Sequence, residues 1–342
     1  MIDYASIRSQ TLISNLKVGR SRQVLIAVLI SIAAIVVILK FTNTSITYHA
    51  LSRADIRFVL LALSLHVFSW VFWSLRIQIL AALAGHKISF NLAFRTTLAS
   101  NFLAAMTPSS AGGEPLRIKM LADDGMSYGS ATAVVIVERL LDSFFFVGAL
   151  AVCLFLSDFI TGFGLKIGGV FLVLLVLEIV FLLELIKRPD RIERLMGWIR
   201  RKAGGRKIVD RVESELWLFR EASIRLAHES RRQIPEMILV TVMLWTCEFL
   251  VPSVLLVSLG ESPDFLYSIT AQIILVIITL APLTPGSSGV VEFSMSYIYS
   301  MFVPSYLIGV LVALWRLITY FVNLVVGAVF IGISLDNKAK KS

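Results

Sequence analysis

The stretch AMTPSSAGGEPLR, at positions 105–117, is small, polar and turn-forming, and it lies among strongly apolar segments. A second stretch, TPGSSGVVE at 284–292, repeats its order of residues, and these two stretches hold the only Thr-Pro dipeptides in the sequence. A Glu follows each dipeptide, and an Arg-Leu pair follows each Glu, 25 residues later at Arg139 and 24 later at Arg316. This matched order and spacing predicts two copies of one unit, with the polar stretches as its working parts.

The composition excludes an ordinary water-soluble protein. Hydrophobic residues make up 57% of the 342 and charged residues only 16%, against about 25% charged residues in a typical soluble domain. Mean hydropathy is +0.83, and several apolar runs exceed the roughly 20 residues that span a bilayer. The net charge of +9 comes from Lys and Arg between these runs, which the positive-inside rule places in the cytoplasm. We therefore expect an integral protein of the cell membrane with both termini cytoplasmic.

The apolar runs predict an all-α polytopic membrane protein with about six full transmembrane helices in a single membrane domain, residues 1–342. Residues 187–233 are basic, with apolar residues at helical spacing, and are expected to form a cytoplasmic amphipathic segment on the membrane surface. Arg117 and Lys119 are also expected near the cytoplasm. In chain order, the predicted spans are 24–39, 57–83, 128–156, 165–186, 236–259 and 306–333.

The two polar stretches interrupt segments that cross a membrane poorly on their own. Residues 89–124 and 266–302 each contain a Thr-Pro break between two short pieces, which predicts a re-entrant helical hairpin in each. From the distribution of charge, we expect the first hairpin to enter the membrane from the cytoplasm and the second to enter it from outside. Repeat unit 1, residues 57–156, and repeat unit 2, residues 236–333, would then have inverted topology, as many secondary transporters do around a midplane site.

Ionisable side chains inside the predicted spans are candidates for a site. Glu138 lies roughly 15 Å into its span, near the midplane, where a charged side chain costs about 2.5–3.5 kcal/mol on insertion scales. Helical spacing places Glu138 and Asp142 on one face and lets Arg139 meet Asp142. One interpretation is a buried ion pair that fixes helix packing. The other is that Arg139 binds an anionic group while the carboxylates balance or exchange its charge.

The repeat also predicts partners across elements. Arg316 has no carboxylate within reach on its own helix, so Glu292 is its expected partner, and by the repeat Glu114 is expected to face Arg139. Such pairs could simply tie each hairpin to its span. A tie that opens when a substrate enters would act as a gate, so the structural and functional interpretations are compatible.

The small residues of the polar stretches supply hydrogen-bond donors. Broken helices leave free backbone N–H groups, and Ser and Thr hydroxyls add donors without bulk, which suits a phosphate or carboxylate. For either stretch alone an ordinary helix break is the simpler interpretation, but two copies at matched spacing favour a site. The predicted substrate-binding residues are Thr107, Pro108, Ser109, Ser110, Gly112, Gly113, Glu114, Glu138, Arg139, Asp142, Thr284, Pro285, Ser287, Ser288, Gly289, Glu292 and Arg316.

The sequence shows no enzyme pattern. GSSG at 286–289 matches the string of intramembrane serine proteases, but those need a histidine on a neighbouring helix, and no histidine follows the motif. A His-Glu-x-x-His zinc pattern and a phosphate-loop lysine motif are both absent from the sequence. We therefore expect a protein without enzymatic activity, metal or cofactor.

The two polar stretches, with ERLLD at 138–142 and WRL at 315–317, resemble the lysylphosphatidylglycerol synthase transmembrane-region family, also called flippase-like integral membrane proteins. The resemblance covers nearly the whole chain. It implies a membrane unit that moves aminoacylated phospholipid between leaflets, as in bacterial multiple-peptide-resistance proteins, where a separate soluble domain makes that lipid. With the sequence ending at Ser342, we expect no such domain here, so anionic or aminoacylated phospholipids and polyprenyl-phosphate-linked lipids are equally admissible cargo.

The sequence thus predicts a lipid flippase or transporter that works by alternating access, with membrane lipids and no nucleic acid as partners. No nucleotide-binding motif is visible, so a gradient would drive transport or transport would be downhill. Two alternatives from other classes stay open. One is a non-transporting accessory protein that binds a lipid-modifying enzyme through residues 187–233, and the other is a small-anion carrier.

Overall fold

The computed structural model describes residues 29, 54–107, 112–156, 161–188, 190, 194, 206–229, 233–279 and 287–339. Every regular element within these residues is helical. The elements are α1 (Ile56–Leu83), α2 (Phe90–Met106), α3 (Gly113–Asp123), α4 (Tyr128–Leu156), α5 (Thr161–Lys187), α6 (Arg206–Glu229), α7 (Ile234–Ser258), α8 (Phe265–Thr279), α9 (Val290–Tyr299), α10 (Ser305–Arg316), a π-helical turn (Leu317–Phe321) and α11 (Val322–Ala339).

Five stretches of the described chain are helical, long and apolar enough to cross a membrane: Ile56–Leu83, Tyr128–Leu156, Gly164–Glu184, Ile234–Ser258 and Ser305–Phe330. They coincide, within a few residues at each end, with five of the six predicted spans. The remaining one, 24–39, lies outside the described residues except for Leu29. The all-α polytopic class predicted from the sequence is therefore confirmed.

Local side chains explain where α1 and α2 begin. The Asp55 carboxylate accepts the Arg57 N–H at 2.9 Å, and the Ser89 hydroxyl accepts the Leu92 N–H at 3.2 Å. Caps of this kind are typically worth about 1 kcal/mol. The Asp55 N–H also donates to the Ser258 carbonyl at 2.8 Å, so the start of α1 meets the end of α7.

The α1 and α7 helices lie side by side and antiparallel. The contact between Asp55 and Ser258 joins them at one end, and Arg76 Nη1 lies 3.5 Å from Thr241 Oγ1 towards the other. The α4 helix packs against both, and α10 packs against α7. This helix pair is therefore the centre around which the other spans are arranged.

Two pairs of shorter helices flank the two polar stretches. The α2 and α3 helices are 17 and 11 residues long, and α8 and α9 are 15 and 10. At about 1.5 Å per residue, each is shorter than the hydrocarbon core of about 30 Å. The α2–α3 crossing is tight, because a Cβ on Gly113 would lie 2.9 Å from the Ser100 carbonyl oxygen. The α2 helix also packs against α11, where a Cβ on Gly327 would lie 2.4 Å from Phe102 Cβ.

Helix α6 lies inside the basic segment 187–233 and packs mainly against α4. One face of it is buried, and Phe219 and Ala222 on that face are 5% and 2% exposed. The Gly129 N–H at the start of α4 donates to Glu215 Oε2 of α6 at 2.7 Å. The helix is thus fixed to the bundle through protein contacts.

We expect Gly129→Ala to loosen the contact between α4 and α6. A Cβ at this position would lie 2.0 Å from the Glu215 carbonyl oxygen and 2.7 Å from the Phe219 backbone nitrogen, so a helix must shift. Overpacking of this kind costs about 1–3 kcal/mol, which should lower the melting temperature of the detergent-solubilised protein.

The matched control for this prediction is Gly148→Ala, which lies on the same helix. Nothing lies within 4 Å of a Cβ at Gly148, and alanine exceeds glycine in helix propensity by about 1 kcal/mol. This variant should melt at or above the temperature of the wild type. Equal melting temperatures for the two variants would contradict the close α4–α6 contact.

Candidate functional site

A cavity of about 380 Å³ lies between the two pairs of short helices. Its walls come from α1 to α4 on one side and from α7 to α11 on the other. Five of the predicted site residues line it: Gly113, Glu114, Arg139, Ser287 and Arg316. Residues from both polar stretches and from both following Arg-Leu pairs therefore face one cavity.

The first predicted ion pair joins α3 to α4 at the cavity wall. Arg139 Nε donates to Glu114 Oε1 at 2.6 Å, and the two side chains are 34% and 39% exposed. Arg139 lies about 17 Å from the first residue of α4, close to the middle of that span. The pair is thus a charged contact deep in the bundle that remains open to the cavity.

The second predicted ion pair joins α9 to α10. Arg316 Nε donates to Glu292 Oε1 at 2.8 Å, and these side chains are only 5% and 0% exposed. The other carboxylate oxygen of Glu292 accepts the Gly289 N–H at 2.7 Å, and Gly289 takes the left-handed conformation, at φ +86°, that favours glycine. The Arg316 guanidinium lies 4.7 Å from the centre of the Tyr320 ring, and its Nη2 is buried without a hydrogen-bond partner.

The two ion pairs differ in accessibility. Both predicted partners are found, yet the pair of Glu114 and Arg139 faces open space whereas that of Glu292 and Arg316 is almost fully enclosed. A ligand in the cavity can reach the first pair directly. The second pair meets the cavity only through Arg316, whose Nη2 is buried and has no hydrogen-bond partner.

Thr107 and Gly112 shape the first helix break and do not line the cavity. Thr107 Oγ1 accepts the Gly112 N–H at 2.8 Å and donates to the Leu103 carbonyl at 2.9 Å. A Cβ on Gly112 would lie 2.6 Å from Thr107 Cγ2, so the turn requires a glycine there. In the second break, Ser288 is fully buried beside Gly289. The predicted site residues that lie outside the described residues are Pro108, Ser109, Ser110, Thr284 and Pro285.

Glu138 and Asp142 lie behind the cavity wall, in a buried charge cluster with Arg76 and Arg117. Arg76 Nη1 donates to Asp142 Oδ1 at 2.5 Å and its Nη2 donates to Glu138 Oε1 at 3.2 Å. Arg117 Nη1 donates to Glu138 Oε2 at 2.5 Å. All four residues are at most 3% exposed. Two guanidiniums thus balance two carboxylates, as burial of charge in a membrane protein requires.

This cluster adds detail to two expectations. Arg117, which was expected near the cytoplasm with Lys119, is buried against Glu138 because α3 packs against α4. Lys119 is exposed, with 59% of its side chain accessible. Arg139 does approach Asp142, at 3.9 Å, but its short hydrogen bond is to Glu114.

Two tryptophans connect the cluster to the cavity, and sequence reasoning gave them no part in the site. Trp73 Nε1 donates to Glu138 Oε1 at 2.5 Å and Trp245 Nε1 donates to Asp142 Oδ1 at 2.7 Å. Both rings line the cavity. The one feature of the sequence that could have indicated this cluster was Arg76, because an arginine inside an apolar span needs a carboxylate partner. The sequence alone did not indicate which helix would supply that partner.

The fold and this cavity define a polytopic helical membrane protein with a charged chamber between two interrupted helix pairs. The profile of the family described as "Lysylphosphatidylglycerol synthase TM region" matches residues 24–327. The chain belongs to this family, which confirms the resemblance drawn from its motifs.

Three similar proteins, from Archaeoglobus fulgidus, Pyrococcus horikoshii and Methanothermobacter thermautotrophicus, are each named as UPF0104 membrane proteins. The first is 42% identical over 317 residues, which cover 91% of this chain and 97% of the relative. The second is 24% identical, covering 89% of this chain and 95% of the relative. The third is 26% identical, covering 80% and 84%. The similarity therefore extends over almost the full length of these relatives, whose names state no substrate.

Proposed function

We propose that this protein moves a polar lipid between the two leaflets of a membrane by alternating access. The observation that carries the proposal is the single cavity that both Arg139 and Arg316 line. Each arginine lies about 17 Å from the first residue of its span, which is near the bilayer midplane if the spans are upright. A charged chamber at that depth is a functional site by default in a membrane protein.

Internal symmetry supports the transport mechanism. The α1 helix begins repeat unit 1 and α7 begins repeat unit 2, and the two are antiparallel. Each is followed by a pair of short helices and then by a span that carries the arginine. This order agrees with two re-entrant hairpins in units of inverted topology, which is the arrangement that rocks around a midplane site in many transporters.

The charges of the lining favour an anionic headgroup. Within the described part of the chain, the cavity lining includes three arginines (Arg117, Arg139 and Arg316) and one carboxylate, that of Glu114. Arg117 is also paired with Glu138 behind the wall. A guanidinium fork matches the geometry of phosphate oxygens, and Arg316 Nη2 has no protein acceptor. Anionic or aminoacylated phospholipids and polyprenyl-phosphate-linked lipids all present such a phosphate. The family description, which refers to a synthase of a phospholipid, agrees with this class of substrate.

The size of the cavity indicates how much of the lipid enters. About 380 Å³ is at the lower end of the 300–1,000 Å³ typical of small-molecule sites, which is room for a headgroup and not for acyl chains. A separate apolar groove of about 300 Å³ lies where α4, α5 and α6 meet, and it includes Leu140, Phe144 and Leu183. Leu140 is the neighbour of Arg139 in sequence, so this groove could hold a hydrocarbon chain while the headgroup occupies the cavity.

The pair of Glu114 and Arg139 would act as the gate. Its side chains are held by one short hydrogen bond and are accessible from the cavity. An incoming phosphate would take the place of the Glu114 carboxylate on the guanidinium. Release of Glu114 removes one of the two ion pairs between α3 and α4 and leaves the buried pair of Arg117 and Glu138. This couples binding of the headgroup to movement of the first hairpin.

The test is reconstitution in phosphatidylcholine vesicles with fluorescently labelled phosphatidylglycerol, aminoacylated phosphatidylglycerol or polyprenyl phosphate. We expect movement of at least one of these lipids, with selectivity for its headgroup, and loss of most of that movement in Arg139→Ala. Removing a charged hydrogen-bond donor costs about 1.5–3 kcal/mol, which corresponds to about 10- to 150-fold in rate.

The matched control for Arg139→Ala is Lys119→Ala, because Lys119 forms an exposed pair with Asp123 outside the cavity. Full activity in Arg139→Ala, with normal folding, would exclude the assigned site. Movement of free phosphate without lipid movement would favour a small-anion carrier. Native mass spectrometry of lipid that co-purifies with the protein would identify the headgroup.

A further inference from the structure

A second polar cluster lies between α1 and α7, and it includes none of the predicted site residues. His66 Nδ1 and Glu248 Oε1 are 2.8 Å apart, and the Ser69 hydroxyl contacts the same carboxylate oxygen. His66 and Ser69 are 2% and 1% exposed. A buried imidazole therefore meets a carboxylate whose side chain is 22% exposed, between two membrane-spanning helices.

The cluster is at mid-depth in both helices. His66 lies about 15 Å from the start of α1, and Glu248 lies about 15 Å from the end of α7, which is half of a hydrocarbon core of about 30 Å. Ionisable side chains at this depth are costly to insert and usually mark ion or proton pathways. Packing does not require them, because apolar residues of similar volume commonly replace a buried polar pair without loss of stability.

One nitrogen of the imidazole is unused. His66 Nε2 is buried and has no hydrogen-bond partner, and the same is true of the neighbouring Trp70 Nε1. The Trp70 ring packs edge-on against His66, with 5.1 Å between ring centres. His66 can therefore donate its Nδ1 proton to Glu248 and still bind a second proton at Nε2.

We propose that His66 and Glu248 form a proton-binding site, with His66 Nε2 as the atom that takes up the proton. With the proton bound, the imidazolium and the Glu248 carboxylate form a neutral pair. When the proton leaves, the imidazole is neutral and the negative charge of Glu248 is uncompensated inside the bundle. Such a charge favours entry of water between α1 and α7, so proton occupancy changes the stability of this helix contact.

The position of the site connects it to the cavity. Glu248 lies one helical turn from Trp245, and His66 lies two turns from Trp73, and both tryptophans line the cavity. The α1 and α7 helices are also the first helices of the two proposed repeat units. We therefore infer that a proton gradient drives the rocking of these units. This inference rests on the proposed lipid transport.

The elements that pack against α1 and α7 carry other charged groups. None of them forms a hydrogen bond or ion pair with His66 or Glu248 in the part of the chain that the structure describes. The α6 helix packs near Gly85, beyond the far end of α1. The remaining charged groups on these elements are Arg57 and Arg76 on α1 itself, Glu236 on α7, Arg95 on α2, Glu138, Arg139 and Asp142 on α4, and Arg316 on α10.

The proton site is tested by NMR of the full chain with isotope-labelled histidine in lipid nanodiscs. The sequence contains only four histidines, and His66→Asn identifies the signal of His66. We expect that signal to titrate with pH. Glu248→Gln should change the midpoint of that titration, because the imidazolium loses its anionic partner. The control Glu221→Gln alters an exposed pair with Arg225 on α6 and should leave the midpoint unchanged.

The outcomes separate the proton site from the proposed function. A His66 signal that does not titrate, or a midpoint that is the same in Glu248→Gln, overturns the proton site whether or not lipid moves. The second arm measures labelled phosphatidylglycerol in phosphatidylcholine vesicles with and without a pH difference across the membrane. Faster movement with the gradient in wild type, and no response in Glu248→Gln, supports coupling. If lipid moves at the same rate with and without the pH gradient while the His66 signal titrates, the coupling of protons to transport is wrong but the proton site stands. If no lipid moves at all, the proposed function is wrong but the proton site stands.

Discussion

Replacing Arg76 with alanine is expected to destabilise the protein by about 3–5 kcal/mol, the usual result of removing one partner from a buried charge network. Arg76 is fully buried and donates to both Glu138 and Asp142. Its loss leaves those carboxylates with Arg117 and two tryptophan N–H groups as their remaining close donors. We expect a large fall in the amount of folded protein and in its melting temperature, measured by fluorescence-detected size-exclusion chromatography after heating.

Lys119→Ala provides the comparison for this prediction. Lys119 pairs with Asp123 at 2.9 Å, but the two side chains are 59% and 48% exposed, and exposed pairs contribute only about 0–1 kcal/mol. This variant should behave like wild type. If Arg76→Ala melts at the same temperature as Lys119→Ala, the buried cluster does not hold the bundle together as described.

Exchanging the two charges of the cavity-facing pair is expected to abolish transport while the fold survives. In Glu114→Arg, two guanidiniums face one another, and in Arg139→Glu two carboxylates do. The double variant restores an ion pair in the reversed order. Asp142 lies 3.9 Å from Arg139, but Arg76 and Trp245 satisfy it independently, so the double variant should fold more stably than either single variant.

The double exchange distinguishes a gate from a structural tie. A tie needs only opposite charges, so the exchanged pair would recover lipid movement together with stability. A binding site needs the positive charge on α4, so stability would return and lipid movement would remain about 10- to 150-fold below wild type. Vesicle flux and melting temperature, measured on the same preparations, decide between the two. Recovery of both quantities would contradict the role of Arg139 in binding.

The spans could be predicted from the sequence because their signal is local. A continuous apolar run of sufficient length can satisfy its backbone in a membrane only as a helix, and five such runs are helical in the structure. The two ion pairs could be predicted because they recur at nearly the same spacing in two copies of one motif. Repetition supplied long-range information that a single motif lacks.

The buried cluster and the His66–Glu248 contact could not be predicted in the same way. Arg76 meets Asp142, and Glu248 meets His66, on helices that are adjacent only after the bundle has formed. No periodic pattern relates these positions, and each side chain has several carboxylates or cations that could equally well be its partner. The burial of Arg117 could not be predicted for a related reason. The positive-inside rule describes loops between spans, whereas α3 folds back so that Arg117 points into the protein.

The close contact of α2 with α11 affects how the two halves depend on each other. Gly327, in the last helix of the second half, allows Phe102 and the Leu98 carbonyl of the first half to approach as near as 2.4 Å and 3.1 Å from the position of its absent Cβ. The α2 helix is therefore held by α11, more than 200 residues later in the sequence, and not only by its own neighbours. Because part of the surface that α2 packs on comes from so late in the sequence, this contact can form only after that later part of the polypeptide has been synthesised.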